Sequence, residues 1–425
     1  MKLRKKGFTI TELVIVIVVI AILAAVLIPT FSSLIKKANI SADTQLAKNL
    51  NTVLSMTEAT DGKPTDFAQV LEAFRENGFL LANINPTTDG CYMVWESETN
   101  QILLVELTED GHKVLFSAKD GAGDPDESWY IAVSSQADAD AVKAVLPNVT
   151  VNMTILSTTE LNTQINADGD NTLYIDGSIT VDDNNTIKLD NAEANVTIEL
   201  GTSAVTGGSN DTTKEAIPFE AVAGTLNLVG GNINAFGAFI DSDNKVMNSV
   251  ARATNGSVMN IEGTKVKLDE AAATLFSYTG ATGTLKDIVI DAKNSNNAIN
   301  VSDGEVRVEN ANVDVQYIAI HATYGAEVTV VGGTYHASLS NLLCVNANAS
   351  TITVEGGTFS CDVPAKTFKF YNYTGNKIVL KGGTFNGVAF ENLTKTQLEG
   401  WCNLSDCTKG VTVENVNGAW VITVK

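Results

Sequence analysis

The chain opens with an unbroken apolar run. Leu13 to Ile28 contains no polar side chain, Pro29 follows, and apolar positions continue to Leu34 and Ile35. Lys2, Arg4, Lys5 and Lys6 precede Gly7, then come Phe8 and, at the edge of the run, Glu12. From Phe8 to Ile35 there is length enough for a helix to cross a hydrocarbon layer of about 30 Å. The basic cluster holds the preceding end on the cytoplasmic side. Farther along, Ile35, Leu46, Leu50, Val53 and Leu54 recur at helical spacing until Gly62-Lys63-Pro64 stops the pattern. The pattern predicts a single helix of about fifty residues starting at Phe8, roughly 75–80 Å long at 1.5 Å per residue.

A shorter helix is predicted over Asp66 to Asn77, with Phe67, Val70, Leu71 and Phe74 facing inward and Gly78 beyond its end. Strand-like runs follow at Cys91–Trp95, Ile102–Leu107, His112–Phe116 and Trp129–Val133, and another helix at Ala137–Leu146. His112 stands alone there and is read as structural.

From about residue 170 the pattern changes to a repeat. Val328-Thr-Val-Val-Gly-Gly-Thr-Tyr335, Ile352-Thr-Val-Glu-Gly-Gly-Thr-Phe359 and Ile378-Val-Leu-Lys-Gly-Gly-Thr-Phe385 start 24 and 26 residues apart. Leu226–Gly231, Val258–Gly263 and Val306–Asn310 are earlier copies. Each copy is preceded by another short apolar strand and a turn, so a period holds two strands and glycine corners. Short strands in a period of this length, with no helix inside each copy, predict a parallel β-solenoid of about ten coils stacked at about 4.8 Å. Ile320, Cys344 and Phe370 are expected to form one inward stack, and Tyr335, Phe359 and Phe385 another. Thr158–Ile165 is the candidate helix that covers the first coil.

The resulting plan is a small α+β region followed by an all-β parallel solenoid. Its segments are residues 1–7 as a leader, 8–60 as the long helix and 61–135 as a small globular region. A linker with a short helix occupies 136–157, and the solenoid 158–425.

Charge adds one exclusion. The net charge is −21, and −25 once the four leading cations are set aside. So acidic a body repels phosphate backbones, which argues against nucleic-acid binding by the head. The five cysteines, Cys91, Cys344, Cys361, Cys402 and Cys407, are odd in number and scattered, so they form no disulfide framework. Cys402 and Cys407 are close enough in sequence to close a small loop, and Cys344 reads as a core thiol.

Catalysis would need clustered carboxylates on adjacent coils, or a bound cation with a basic residue beside it. Arg252 and Arg307 lie away from stacked acids, and Asp182-Asp183, Asp241 with Asp243, and Asp269-Glu270 fall at turns where such residues are expected anyway. His321 and His336 sit on neighbouring coils and read as satisfied surface groups. The expectation is a head without catalytic residues, metal or cofactor, whose Asn, Thr and Ser faces with Tyr324, Tyr371 and Tyr373 suit a glycan or a cell surface. The rival reading is a surface-anchored polysaccharide lyase or hydrolase.

Two ordinary explanations of the N-terminus fall short. A secretory signal has a small-residue cleavage site, whereas Pro29-Thr-Phe-Ser-Ser follows this run. A plain anchor leaves Glu12 unexplained, since a carboxylate at the edge of a span costs about 2–3 kcal/mol unless it is partnered. Lys5-Lys6-Gly7-Phe8-Thr9-Ile10-Thr11-Glu12-Leu13 resembles the class III leader of type IV prepilins and pseudopilins. The resemblance implies cleavage between Gly7 and Phe8 by a prepilin peptidase and N-methylation of Phe8. It further implies that Glu12 pairs with the terminal amine of a neighbouring subunit, and that the helix kinks at Pro29. It places the chain across the cytoplasmic membrane through residues 8–35, and afterwards in a surface filament, either a pilus or the pseudopilus of a type II secretion or DNA-uptake machine. The solenoid, opening with Thr158–Ile165 and Thr172–Val181, resembles pectate-lyase-like right-handed β-helix domains in shape.

Overall fold

In the computed structural model, the described residues are 10–79, 84–108, 111–120, 123–134, 136–155, 158–175, 178–181, 186–209, 217–237, 249–268, 274–292 and 297–425. They divide into two compact units, Met1–Val151 and Asn152–Lys425.

The first unit is built on α1 (Ile10–Thr60), a helix of 51 residues that runs unbroken through position 29. Its second half packs inward through Ala47, Leu50, Val53 and Leu54. Helix α2 (Phe67–Glu76) starts where the Asp66 carboxylate accepts from Gln69 N at 2.9 Å, which satisfies a backbone donor that the helix itself cannot. Strands β1 (Cys91–Glu96), β2 (Gln101–Thr108), β3 (Gly111–Phe116) and β4 (Trp129–Val133) form an antiparallel sheet in the order β3-β2-β1-β4. Phe67 stacks on Trp95 and on Tyr130 at 5.9 and 5.7 Å, fixing α2 to the sheet. Helix α3 (Gln136–Val145) completes the unit.

The second unit is a parallel solenoid. Each complete coil has three strands where the sequence pattern suggested two: Ile318–Thr323, Glu327–Val331 and Thr334–Ala337 make one coil, and Leu343–Asn346, Thr351–Val354 and Thr358–Cys361 the next. A left-handed residue makes the extra bend: Asp287 and Asn310 in earlier coils, and a glycine pair in the later ones. Gly332 and Gly333 take φ of +80° and +92°, and a Cβ on Gly333 would lie 2.2 Å from the Ala311 carbonyl, so the chain bends there into a third face. First strands of successive coils pair in a sheet with nine strands among the described residues, running from Ile187–Leu189 to Cys402–Asp406.

Inside, Tyr335, Phe359 and Phe385 stack with centroids 4.8 and 4.9 Å apart, as the sequence led one to expect. The other expected stack is shifted by one residue. Ile320 pairs with Leu343 and Phe368 in the core, whereas Cys344 pairs with His321 and Lys369 on the opposite side of the strand. The run Leu342-Leu343-Cys344-Val345 is apolar throughout, so alternation alone did not reveal its facing.

Both ends of the column are covered. Helix α4 (Thr158–Gln164) lies beside Ile187–Leu189, the first strand of the nine-stranded sheet. Asn162 Oδ1 accepts from Lys188 N, Asn166 Nδ2 donates to Lys188 O at 3.0 Å, and Asn166 Oδ1 accepts from Asp190 N at 2.8 Å. Two side chains thereby replace the missing coil. At the other end Ala419–Val424 pairs antiparallel with Lys377–Leu380, and Val388–Ala389 with Thr384–Phe385. Helix α5 (Lys395–Gly400), closed by a Thr394–Gln397 capping box, buries Leu398 there.

Replacing Asn162 and Asn166 together by alanine is expected to lower stability by about 1 kcal/mol per lost bond and to expose a strand edge. Melting by circular dichroism and light scattering would show it; unchanged melting with no added association would refute the capping role.

Candidate functional site

Two regions hold the chemistry suited to contact with other molecules: the free half of α1 and the outer faces of the solenoid. On α1, the large apolar side chains described between Ile10 and Ile35 are exposed, and Glu12 occupies the first turn. The helix is long and apolar enough to cross a membrane, and none of its most apolar stretch is buried. A carboxylate near a helix N-terminus is favoured by the unsatisfied amide dipoles. Gly7 and Phe8 lie outside the described residues.

The second half of α1 is fastened by polar contacts. The buried Asp43 carboxylate accepts four hydrogen bonds, from the backbone N–H and hydroxyl groups of Thr87 and Thr88. Asn51 bonds Ile102 in both directions: its Oδ1 accepts from the backbone N at 2.9 Å and its Nδ2 donates to the carbonyl at 2.8 Å. Lys36, at the junction of the apolar and fastened halves, pairs with Glu106 at 2.7 Å. The fastening holds the sheet to the second half of the helix, while the large apolar side chains of the first half are exposed among the described residues.

On the solenoid, outward side chains form ladders from coil to coil. Asp170, Asn195, Asn227 and Asn260 are joined in one hydrogen-bonded row. Arg252 grips the Glu220 carboxylate through Nε at 2.9 Å and Nη2 at 2.6 Å, and Arg307 pairs with Glu309. Each arginine is therefore engaged with a single carboxylate.

One charged row was missed in the sequence. Asp291, Asp314 and His336 are register partners on three successive coils. His336 Nδ1 lies 2.9 Å from Asp314 Oδ1, and Nε2 lies 3.2 Å from Asp362 Oδ1. Only a doubly protonated imidazolium can donate to both carboxylates at once. The hydrogen bond to Asp314 raises the His336 pKa most, and Asp362 adds to it against partial burial. The spacing of 22 or 23 residues between members hid the row, because groups that far apart in sequence meet only through the register of the coils. The acidic pairs singled out there, Asp182-Asp183, Asp241 with Asp243, and Asp269-Glu270, lie outside the described residues.

Burial depresses His321 to about 4, keeping the imidazole neutral, and lifts the Cys344 thiol beside it to about 12. A thiol raised this far keeps its proton at neutral pH. Cys402 and Cys407 do not pair: Cys402 Sγ donates to Leu398 O at 3.1 Å, and Cys407 Sγ points to Gly410 O. Sequence proximity gave no hint that each thiol faces its own local carbonyl. His112 packs edge-on against Trp129. Among the described residues no group of three or more His, Cys, Asp or Glu is placed to hold a metal ion. Tyr324 and Tyr373 are exposed, while Tyr371 has the Lys369 ammonium over its ring at 5.0 Å.

Residues 2–28 match the family described as the prokaryotic N-terminal methylation motif. A fimbrial protein of Moraxella nonliquefaciens is 33% identical over 107 residues, an alignment that covers 23% of this chain and 70% of the relative. No solved structure matches the chain.

The His336 bridge makes stability depend on pH with a defined sign. Because the folded value is raised, the contribution is complete below the unfolded histidine value of about 6.5 and is lost as pH rises through the folded value. Melting temperatures of the parent and His336→Gln should therefore differ most near pH 6 and converge toward pH 9. A difference that grows with pH would contradict the assignment.

Proposed function

The chain belongs to the type IV pilin-like family, and from that premise we propose that it is a minor or tip subunit whose solenoid makes adhesive contacts. It is a subunit of a type IV pilus or pseudopilus; the methylation motif implies processing by prepilin peptidase and assembly with other pilins. The observation that carries the assembly reading is the apolar half of α1, exposed along its length with a carboxylate in its first turn. Cleavage before Phe8 creates a cationic amine beside apolar surface. Burying that amine together with the Glu12 of a neighbouring copy costs far less than burying either alone.

The bulk of the second unit, residues 152–425, supports a place at the filament end, since a head of this size crowds lateral packing. Its faces of Asn, Thr and tyrosine suit glycan or cell-surface contact, with residues 8–35 holding the chain in the cytoplasmic membrane before assembly. The head binds and does not catalyse in this reading, which the engaged state of the Asp314, His336 and Asp362 row supports.

Glu12→Ala is expected to abolish filament incorporation while membrane insertion persists, as read by shearing and fractionation. Immunogold labelling of the head should mark filament ends; uniform decoration along the shaft would overturn the tip placement. Ending the chain after residue 151 should leave filaments but remove adherence. The full chain in detergent should release no reducing or unsaturated sugar from polysaccharides, and sustained release would install the enzymatic reading instead.

A further inference from the structure

The corner that follows each strand of the nine-stranded sheet forms a column along the solenoid. Asn255, Asp303, Tyr324 and Asn348 occupy it with φ of +56°, +50°, +56° and +51°. Asn and Asp tolerate this left-handed region because their short polar side chains can bond locally, whereas a bulky aromatic residue there is an outlier. Tyr324 nevertheless holds the position, and its side chain is 59% exposed, so no packing in the core accounts for it. Backbone strain at an exposed aromatic residue points to a use for the ring.

Two coils on, Tyr373 lies in the same corner column and is also largely exposed. The intervening strand Leu343–Asn346 pairs with Ile318–Thr323 on one side and Phe368–Tyr371 on the other, so the backbone corners that carry the two tyrosines are two rungs apart, about 10 Å at 4.8 Å per rung. Asn348, between them, is exposed and makes no side-chain hydrogen bond among the described residues. Beside Tyr373, Lys409 is held in place: its backbone N–H donates to Asn372 Oδ1, and Nζ donates to Thr374 Oγ1 at 2.9 Å.

Charge is segregated along the same axis. Within the second unit, residues 362–425 carry seven lysines against five carboxylates, whereas residues 152–361 carry nine cations against 25 carboxylates. An anionic ligand is thus steered to the far coils and away from Asp303.

We propose that the corner bearing Tyr324, Asn348 and Tyr373 is a binding site for a short acidic oligosaccharide lying along the solenoid axis. The two rings stack on sugar faces, Asn348 bonds the unit between them, and Lys409 pairs with a carboxylate at the Tyr373 end. Tyrosine suits this role because its ring combines a large rigid apolar face with a polar tip. The inference deepens the adhesive reading above and rests on it.

The test uses the full chain in detergent, titrated calorimetrically with a hexuronate tetramer and with a glucose tetramer. The hexuronate is expected to bind saturably and the neutral tetramer at least tenfold more weakly, with the preference lost in Lys409→Gln. Tyr324→Gly relieves the backbone strain, so it should melt no lower than the parent yet bind at least tenfold more weakly, as should Tyr373→Ala. Absence of saturable binding, equal binding of both tetramers, or undiminished binding by Tyr324→Gly would each overturn the site. Adherence of filamented cells separates the two levels. If it requires residues 152–425 but survives Tyr324→Gly, this corner falls and the adhesive reading stands; if it survives loss of the whole head, the adhesive reading falls.

Discussion

A coil of parallel strands cannot satisfy its own backbone. Each N–H and C=O along a strand needs a partner on the coil above or below, so no coil is stable alone and each end of the column needs a substitute for the missing neighbour. This requirement organises residues 152–425. It explains the in-register pairing of like residues, with Thr334, Thr358 and Thr384 in one line and Tyr335, Phe359 and Phe385 in the next. It also explains why the terminal segments depart from the repeat. Asn162 and Asn166 serve the first strand of the nine-stranded sheet, and an antiparallel hairpin, Val411–Val416 with Ala419–Val424, serves the last coil of the other.

The first unit faces the opposite problem. Its core closes through the second half of α1, α2 and the four-stranded sheet, and the rest of α1 is left with apolar side chains in the open. Such a surface is stable only in lipid or against other helices of the same kind. The buried Asp43 carboxylate and Asn51 decide where packing inside the unit ends and packing with other molecules begins. A membrane before assembly and a filament afterwards are two solutions to the same exposure.

Most of the architecture was legible in the sequence. The apolar run, the helical spacing of Leu46, Leu50, Val53 and Leu54, and the Gly-Gly-Thr-aromatic repeat each carry a period that geometry must honour. Three things were not legible. The third strand of each coil was hidden because Gly332-Gly333 looks like a turn after a strand, when it is a bend between two. The facing of Cys344, which is buried on the other side of its strand, was hidden because apolar residues flank it on both sides and no polar neighbour broke the pattern. The Asp291, Asp314 and His336 row was hidden because its members come together only through the register of coils. Partners in a solenoid are one period apart in sequence, and a search for local clusters passes over them. The corner site has the same character: Tyr324 and Tyr373 were noted as exposed, but the left-handed backbone at Tyr324 is a fact of conformation.

The pairing of equivalent positions between coils has a further consequence. Because the strand beginning at Glu327 and the strand beginning at Thr351 present equivalent edges to their neighbours, a segment from one such point to the next is a module with matching ends. Recombination that duplicates or removes one module lengthens or shortens the column by a single rung, about 4.8 Å, and leaves both terminal covers intact. The reach of the head is therefore a heritable quantity that changes in fixed steps, separately from the helix that anchors it.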